Sequence, residues 1–534
     1  MVVCCHRSRI TIFVTVIRRC EQVLFWTKGG VDFSMRHKIE ASIFSLLLGI
    51  AIISQRVAEP SYDSDILWSV AIGKWINIHH AFPVVDSFSW TIYGQEWMTH
   101  EWAYSYLAYI MNEAFGSLGF YLLALIPMVL TIYFLYLMVK SYDENKTYAY
   151  LLAFTIGVVL IYVVSLPFRA YIYALLFATL LLYLLYFKEE KKYDAILYAA
   201  LFMLWANFQV SVFIGLVMLM AEMARKFILF PSNRYKVVSI VTLSVVSTFI
   251  NPYGYKLWSY FIFVMTHMDG HRLIEEWAAV NFNEPWVLFL YLGTAGVVLF
   301  LQFKYKPGKG MQEEHLSLAG TAGKPSLCER LLNLMQTFLT KENCLIIGYW
   351  CFYIYALYSV RMMMFSLILW TIIVSYFISK TKRLKFGFKT YYICLLLFVS
   401  ILLVNLADAD FTIIDVLSDK KEVTPVEEVA FLKENPAYSY HLFNEYMFGA
   451  YLILNDIPVF IDARCDSYIR FGILNKFLDI KGLKEDPQTA FNELDVRNLL
   501  ITDGALKKYI DINPQWKLVY GGPTAFIYTR TEND

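Results

Sequence analysis

The strongest constraint in this sequence is its apolar runs. They recur along most of the chain and are separated by short segments that carry Lys and Arg. A stretch of about 20 mostly apolar residues is long enough to cross a bilayer as a helix, because a helix satisfies its own backbone hydrogen bonds in lipid. Candidate spans lie at 39–54, 118–139, 148–166, 170–187, 194–205, 210–224, 237–250, 286–303, 344–358, 362–379 and 391–406, which makes about eleven. The 534 residues are 58% hydrophobic and 17% charged, against roughly 25% charged in ordinary soluble domains. Disorder is excluded by this hydrophobicity. With a net charge of +1, the chain has no basic excess with which to neutralise phosphates, so no nucleic-acid partner is expected. The eight cysteines show no metal-ligand spacing and are too sparse for a disulfide scaffold. The expected fold is an all-α polytopic membrane domain followed by a small α/β domain, with the lipid bilayer as the first partner.

The basic residues orient the spans. Placing Arg36 and Lys38 in the cytoplasm puts 22 Lys and Arg in the inner loops and six in the outer ones, as the positive-inside rule requires. The C-terminal segment then lies outside, and the expected location is the cytoplasmic (inner) membrane. The chain divides into an N-terminal extension at 1–34, a transmembrane bundle at 35–303 with a long first outer loop at 55–117, a cytoplasmic linker at 304–342, further spans at 343–407 and an extracytoplasmic α/β domain at 408–534. The run 10–17 is too short to span, and Met35 is followed by basic residues and an apolar run, so Met35 is a natural start. Neither Lys-Pro-Gly-Lys-Gly nor Thr-Ala-Gly-Lys-Pro in the linker has phosphate-loop spacing.

This topology collects polar residues at the outer ends. The first outer loop holds Asp63, Asp65, His100 and Glu101; later ends hold Arg169, Asn207, Gln209, Glu275, Glu276 and Arg361. Asp65 or Asp63 is also a candidate N-cap for a helix starting near Ile66. That apolar, Trp-bearing helix is too short to span and is read as lying in the headgroup plane. Arg169 and Arg361 each stand at the head of an apolar helix, where an isolated charge marks a phosphate or carboxylate partner, although snorkelling is the plain alternative. His100 and Glu101 are adjacent and point in different directions on a helix. Asn251-Pro-Tyr-Gly254 is read as a turn.

Beyond residue 408 the composition shifts. A helix beginning near Pro425 with Thr424 as cap, strands at 440–444, 458–461 and 498–502, a helix at 488–493 and a hairpin at 517–520 and 525–529 are expected. Asp462-Ala-Arg464-Cys-Asp466 follows a buried-looking strand, and is either a ligand-bearing turn or a structural Arg–Asp pair.

An acidic Asp63-Ser-Asp65 after the first span, in a long outer loop, resembles the GT-C superfamily of membrane glycosyltransferases. The chain also looks like a group of bacterial multipass proteins that share a string of landmarks. Here these are Asp-x-Asp-x-x-Trp, Gly-x-Trp and Pro-x-x-Asp-x-Phe-Ser between Asp63 and Ser89, then His100-Glu-Trp102, Trp205-Ala-Asn207 and Asn251 to Gly254. Arg169 and Arg361 follow the pattern, as do Phe443 to Leu452 and Phe460 to Tyr468. Where those proteins carry His-Gly after Trp-Ala-Asn, this chain has Gln209-Val210, so no acid/base or metal role carries over to that position. The resemblance implies transfer of a hexosyl or pentosyl unit from a polyprenyl-phosphate donor to an unidentified acceptor on the outer face. It implies Asp63, Asp65 and Glu101 as catalytic, Arg169 and Arg361 as phosphate-binding, and His100, Asn207, Gln209, Glu275 and Glu276 as lining. No motif compels a metal; a divalent cation, Mg or Mn, held by Asp63 and Asp65 is the open alternative. Rival functions are a lipid-linked-sugar flippase, a glycan polymerase or ligase, and a non-catalytic envelope-assembly partner. A flippase needs polar residues along a path at mid-membrane, whereas the polar groups here sit at the outer ends.

Overall fold

Helix formation follows the apolar runs. The computed structural model describes residues 41–50, 52–53, 64–142, 150–164, 168–266, 279–304, 338–380 and 424–531. The 1–34 extension, most of the 304–342 linker, the 391–406 run, Asp63, Glu275 and Glu276 lie outside the described residues. The helices are α1 (Ala41–Ile50), α2 (Ser64–His79), α3 (Trp102–Phe115), α4 (Ser117–Lys140), α5 (Tyr150–Val164), α6 (Tyr171–Tyr186), α7 (Asp194–Phe208), α8 (Val212–Leu229), α9 (Arg234–Ser247), α10 (Lys256–Thr266), α11 (Pro285–Lys304), α12 (Lys341–Tyr358) and α13 (Met363–Ser379). The chain is a mostly helical membrane protein. Among the described residues, three helical stretches are both long and apolar enough to cross a bilayer: Ser117–Lys140, Pro285–Lys304 and Val360–Ser379. The described residues therefore do not confirm the expected count of about eleven. Helices do form at the other described runs, but several, such as Tyr171–Tyr186 and Asp194–Phe208, stop short of a full span.

Pro127 lies inside α4. Having no N–H, it leaves the carbonyl of Leu123 without its helical donor. The Tyr173 hydroxyl of α6 donates to that carbonyl at 3.2 Å, so the neighbouring helix repairs the gap. Helix α13 is buried along nearly its whole length, against α5 and α12.

Helix α2 is enclosed by other parts of the protein. It begins at Ser64, two residues before the expected start, so Asp65 falls in its first turn and is not its cap. Ten of its 16 residues are buried, because α3 covers one side and a C-terminal helix covers another. A Cβ on Gly73 would stand 2.2 Å from the Ser105 carbonyl oxygen of α3. Only glycine lets the two helices approach this closely.

The C-terminal segment carries α14 (Val426–Glu434), α15 (Gly449–Leu454), α16 (Cys465–Arg470), α17 (Ile473–Lys481), α18 (Pro487–Glu493) and α19 (Ala505–Asp511) around a small mixed sheet. Strands β1 (Leu442–Asn444), β2 (Asn498–Ile501), β3 (Trp516–Gly521) and β4 (Phe526–Arg530) lie in the order β1-β2-β4-β3. β1 runs parallel to β2, with Phe443 opposite Leu499; β4 is antiparallel to both β2 and β3. The expected hairpin forms. Thr424 makes no capping bond, since α14 starts from Pro425. Residues 458–461 form no strand; Val459 makes a single parallel bridge, to Ser89 in the segment between α2 and α3.

That bridge is one of several ties. Trp90 Nε1 donates to the Leu442 carbonyl at 3.1 Å, and the Thr91 hydroxyl to the Phe460 carbonyl at 2.7 Å. Asp86 Oδ1 accepts from the Ser89 N–H and hydroxyl at 2.8 and 2.9 Å, while its Oδ2 accepts from Arg464. Arg464 is 3% exposed, also pairs with Asp462 at 2.6 Å and lies 4.9 Å over the Trp97 ring. The Arg–Asp pair closes its own turn, as the structural reading supposed, and also locks the segment between α2 and α3 to the C-terminal segment.

Candidate active site

Two arginine-bearing helix heads meet. Arg169 precedes α6, and Arg361 precedes α13 in the short 3-10 turn Val360–Met362. Tyr171, two residues after Arg169, donates its hydroxyl to the Arg361 carbonyl at 2.8 Å, and the Arg361 guanidinium lies 5.4 Å from the Tyr171 ring centre. Arg169 Nη1 pairs with Asp65 Oδ2 at 2.7 Å. Residues far apart in sequence therefore join α2, α6 and α13 at one end of the bundle.

A second group adjoins them. His100 Nε2 lies 3.5 Å from Glu101 Oε1, and its ring stacks on Tyr260 of α10 with centroids 4.8 Å apart. Tyr260 also lies close enough to Asp466 of α16, Glu101 and Arg361 to feel their charges. Burial works to lower the His100 pKa, but the hydrogen bond and charge of Glu101, with Asp466, outweigh it and raise the group above its ordinary value. Next along α16, burial pushes the Cys465 thiol up to about 12, with the charges of Asp466 and Asp65 adding to it. Burial also raises Tyr446, whose hydroxyl donates to the Ala463 carbonyl at 3.4 Å.

Asp65, His100, Glu101, Arg169 and Arg361 thus come together. Asn207 and Gln209 are occupied elsewhere. Asn207 Oδ1 accepts from Trp102 Nε1 at 2.8 Å, and its Nδ2 donates to the Ile250 carbonyl at 2.8 Å, which ties α3, α7 and the end of α9. Gln209 accepts from the Ser211 N–H at the start of α8. Trp205 packs flat over Gly215, where a Cβ would stand 2.4 Å from the ring. Asn251 closes the expected turn, accepting from the Tyr253 N–H at 2.8 Å, with Gly254 at φ +55°.

Sequence reasoning missed Tyr260 and the placement of Asp466, Cys465 and Tyr446. Nothing local marks Tyr260 among the aromatic residues of α10, and the other three belong to the distant C-terminal segment. The charges of the opposite loops gather at the other end of α6, where Lys188 pairs with Asp194 at 2.6 Å and Lys226 with Glu190 at 2.7 Å. As to metals, Asp65 already spends one oxygen on Arg169, and among the described residues no three His, Cys, Asp or Glu side chains converge. Asp63, the other candidate ligand, lies outside the described residues.

No family model matches the chain, and no curated protein does. Among solved structures, the fold is similar to that of the Archaeoglobus fulgidus oligosaccharyltransferase in its apo form. The TM-score is 0.51 at 12% identity, over 87% of this chain and 69% of the archaeal one. The class defined by helices and fold is therefore that of a membrane protein built like an oligosaccharyltransferase.

Proposed function

We propose that this protein is a GT-C-type glycosyltransferase that moves a sugar from a polyprenyl-phosphate donor to an acceptor on the outer face of the cytoplasmic membrane. The observation that carries the reading is the Asp65–Arg169 pair set beside Arg361 at the heads of two apolar helices. In that position a lipid phosphate keeps its chain in the bilayer and its headgroup among cations. Arg169 presents five donors, so it can hold Asp65 and a phosphate oxygen together. Asp65, neutralised by Arg169, serves to orient it. The acceptor hydroxyl oxygen forms the new bond to the sugar's anomeric carbon as the bond from that carbon to the phosphate oxygen breaks. The phosphate leaves with the bonding pair and is stabilised by the arginines. The hydroxyl proton passes to a carboxylate, Asp63 or Glu101; the His100 contact positions Glu101.

The oligosaccharyltransferase-like fold supports this reading over a flippase, as does the confinement of charge to the two ends of α6, which has no charged residue between them. Cells lacking the protein should accumulate a polyprenyl-phosphate-linked sugar. An unchanged pool of lipid-linked sugars would sink the reading. The orientation is tested by single cysteines in a cysteine-free background. A cysteine at Asn513 should react with an impermeant thiol reagent in intact cells, and one at Gln312 should not.

A further inference from the structure

A cavity of about 320 Å³ lies between residues 84–98 of the first outer loop, α10 and α16. At roughly 30 Å³ per water it has room for several times more than a single bridging water. Neither Arg169 nor Arg361 lines it, so it is separate from the phosphate end of the site. Its wall nevertheless includes Asp466 and Tyr260, and the Tyr260 ring stacks on His100. The cavity therefore abuts the candidate chemistry from the side of the C-terminal segment.

Its chemistry is specific. Tyr255, Phe263 and Phe471 offer ring surfaces, and Glu96, Lys256 and Arg470 supply charge. Glu96 already bonds Lys256 at 2.8 Å, and Arg470 lies 3.9 Å from it. Signs are mixed, which suits a ligand with many hydroxyls better than an ion. The backbone around the loop wall is satisfied: Trp97 N–H donates to the Val84 carbonyl at 3.1 Å and Asp86 N–H to Gln95 at 2.8 Å. The other walls are helices. No strand edge is offered for an extended peptide, the common way of capturing one. Aromatic faces matched to C–H surfaces, with carboxylates and guanidinium groups matched to hydroxyls, fit a sugar.

We propose that this cavity is the acceptor subsite and that the acceptor is a saccharide. The assignment rests on the transferase reading above. A hydroxyl of a saccharide seated there would meet the Asp466–Tyr260–His100 line, with the bulk of the acceptor extending away from the helix heads that hold the phosphate.

The test uses the full chain in nanodiscs. Binding is measured to a printed array of oligosaccharides, to a peptide array and, separately, to farnesyl phosphate. Ser259 and Tyr255 both line the cavity and are exposed, so Ser259→Trp fills it and Tyr255→Ala removes a wall without touching the core. Wild type should retain oligosaccharides; each variant should weaken that binding about tenfold or more, the factor that 1.4 kcal/mol represents. Farnesyl phosphate binding and thermal unfolding should not change. Undiminished saccharide binding in Ser259→Trp would overturn the location. Capture of peptides in place of saccharides, or of neither, would overturn the acceptor class while leaving the donor reading intact if farnesyl phosphate still binds. Loss of farnesyl phosphate binding by wild type, with saccharide binding still sensitive to both variants, would overturn the donor reading and support the cavity as a saccharide site.

Discussion

The carboxylate of Asp65 and the guanidinium of Arg169 stand 2.7 Å apart, joining the first turn of α2 to the head of α6. Both side chains keep some solvent exposure, 31% and 22%, so the pair by itself is worth about 1 kcal/mol or less in stability. If Arg169 also holds the donor phosphate, Arg169→Ala should weaken donor binding about 30-fold, from losing a charge-assisted hydrogen bond of about 2 kcal/mol. Lys should rescue it only in part, because it lacks the planar fork. Titration with a prenyl phosphate, beside a melting curve, separates the two effects. A variant that melts normally and binds normally would reduce the pair to a structural contact.

Arg464 makes a different kind of contact. It lies buried between Asp86 and Asp462, with the Trp97 ring against it. Replacing it with Leu strands two carboxylates in a buried site, a change expected to cost about 3–5 kcal/mol. Asp86→Asn retains an acceptor and should cost less. Limited proteolysis should then release the C-terminal segment from Arg464→Leu first, with a lowered melting temperature. Wild-type resistance would mean that the backbone ties at Trp90 and Thr91 suffice.

Gly73 tests the burial of α2. Gly73→Ala puts a methyl group 2.2 Å from the Ser105 carbonyl oxygen and 2.5 Å from Tyr109 Cβ. Overpacking of this kind costs about 1–3 kcal/mol. A helix lying free in the headgroup plane would gain from Ala instead, because Ala is the better helix former. The direction of the melting shift decides between the two arrangements.

His100 predicts a pH dependence. Its pKa is raised on folding, net of burial, by Glu101 and Asp466 against an opposing Arg361. A raised folded value contributes stability that is fully present below the unfolded value, about 6.5, and is lost as pH rises through the folded value. Wild type should therefore melt above His100→Gln most clearly below about pH 6, with the gap narrowing as pH rises. A gap that widens with pH would reverse the assigned charge.

Much of the local structure was legible. The apolar run at 118–139 became Ser117–Lys140, the run at 286–303 became Pro285–Lys304, and the turn at Asn251 to Gly254 closed as read. Other features were not. Asn207 and Gln209 stand at and just beyond the end of α7. Their partners, Trp102, the Ile250 carbonyl and the Ser211 N–H, include groups that no local pattern points to. Val459 sits in a strand-like run, yet its one β partner is Ser89.

The division has a physical cause. Hydropathy and turn chemistry are properties of a few neighbouring residues, so the sequence by itself determined where helices form and that the chain belongs in a membrane. The pairing of Asp65 with Arg169, the approach of Tyr260 and Asp466 to His100, and the buried bond from Asp86 to Arg464, 378 residues apart, depend on which helix faces pack together. The two carboxylates flanking Arg464 are stable in a buried site only because that guanidinium compensates them, and only the tertiary structure brings the three together.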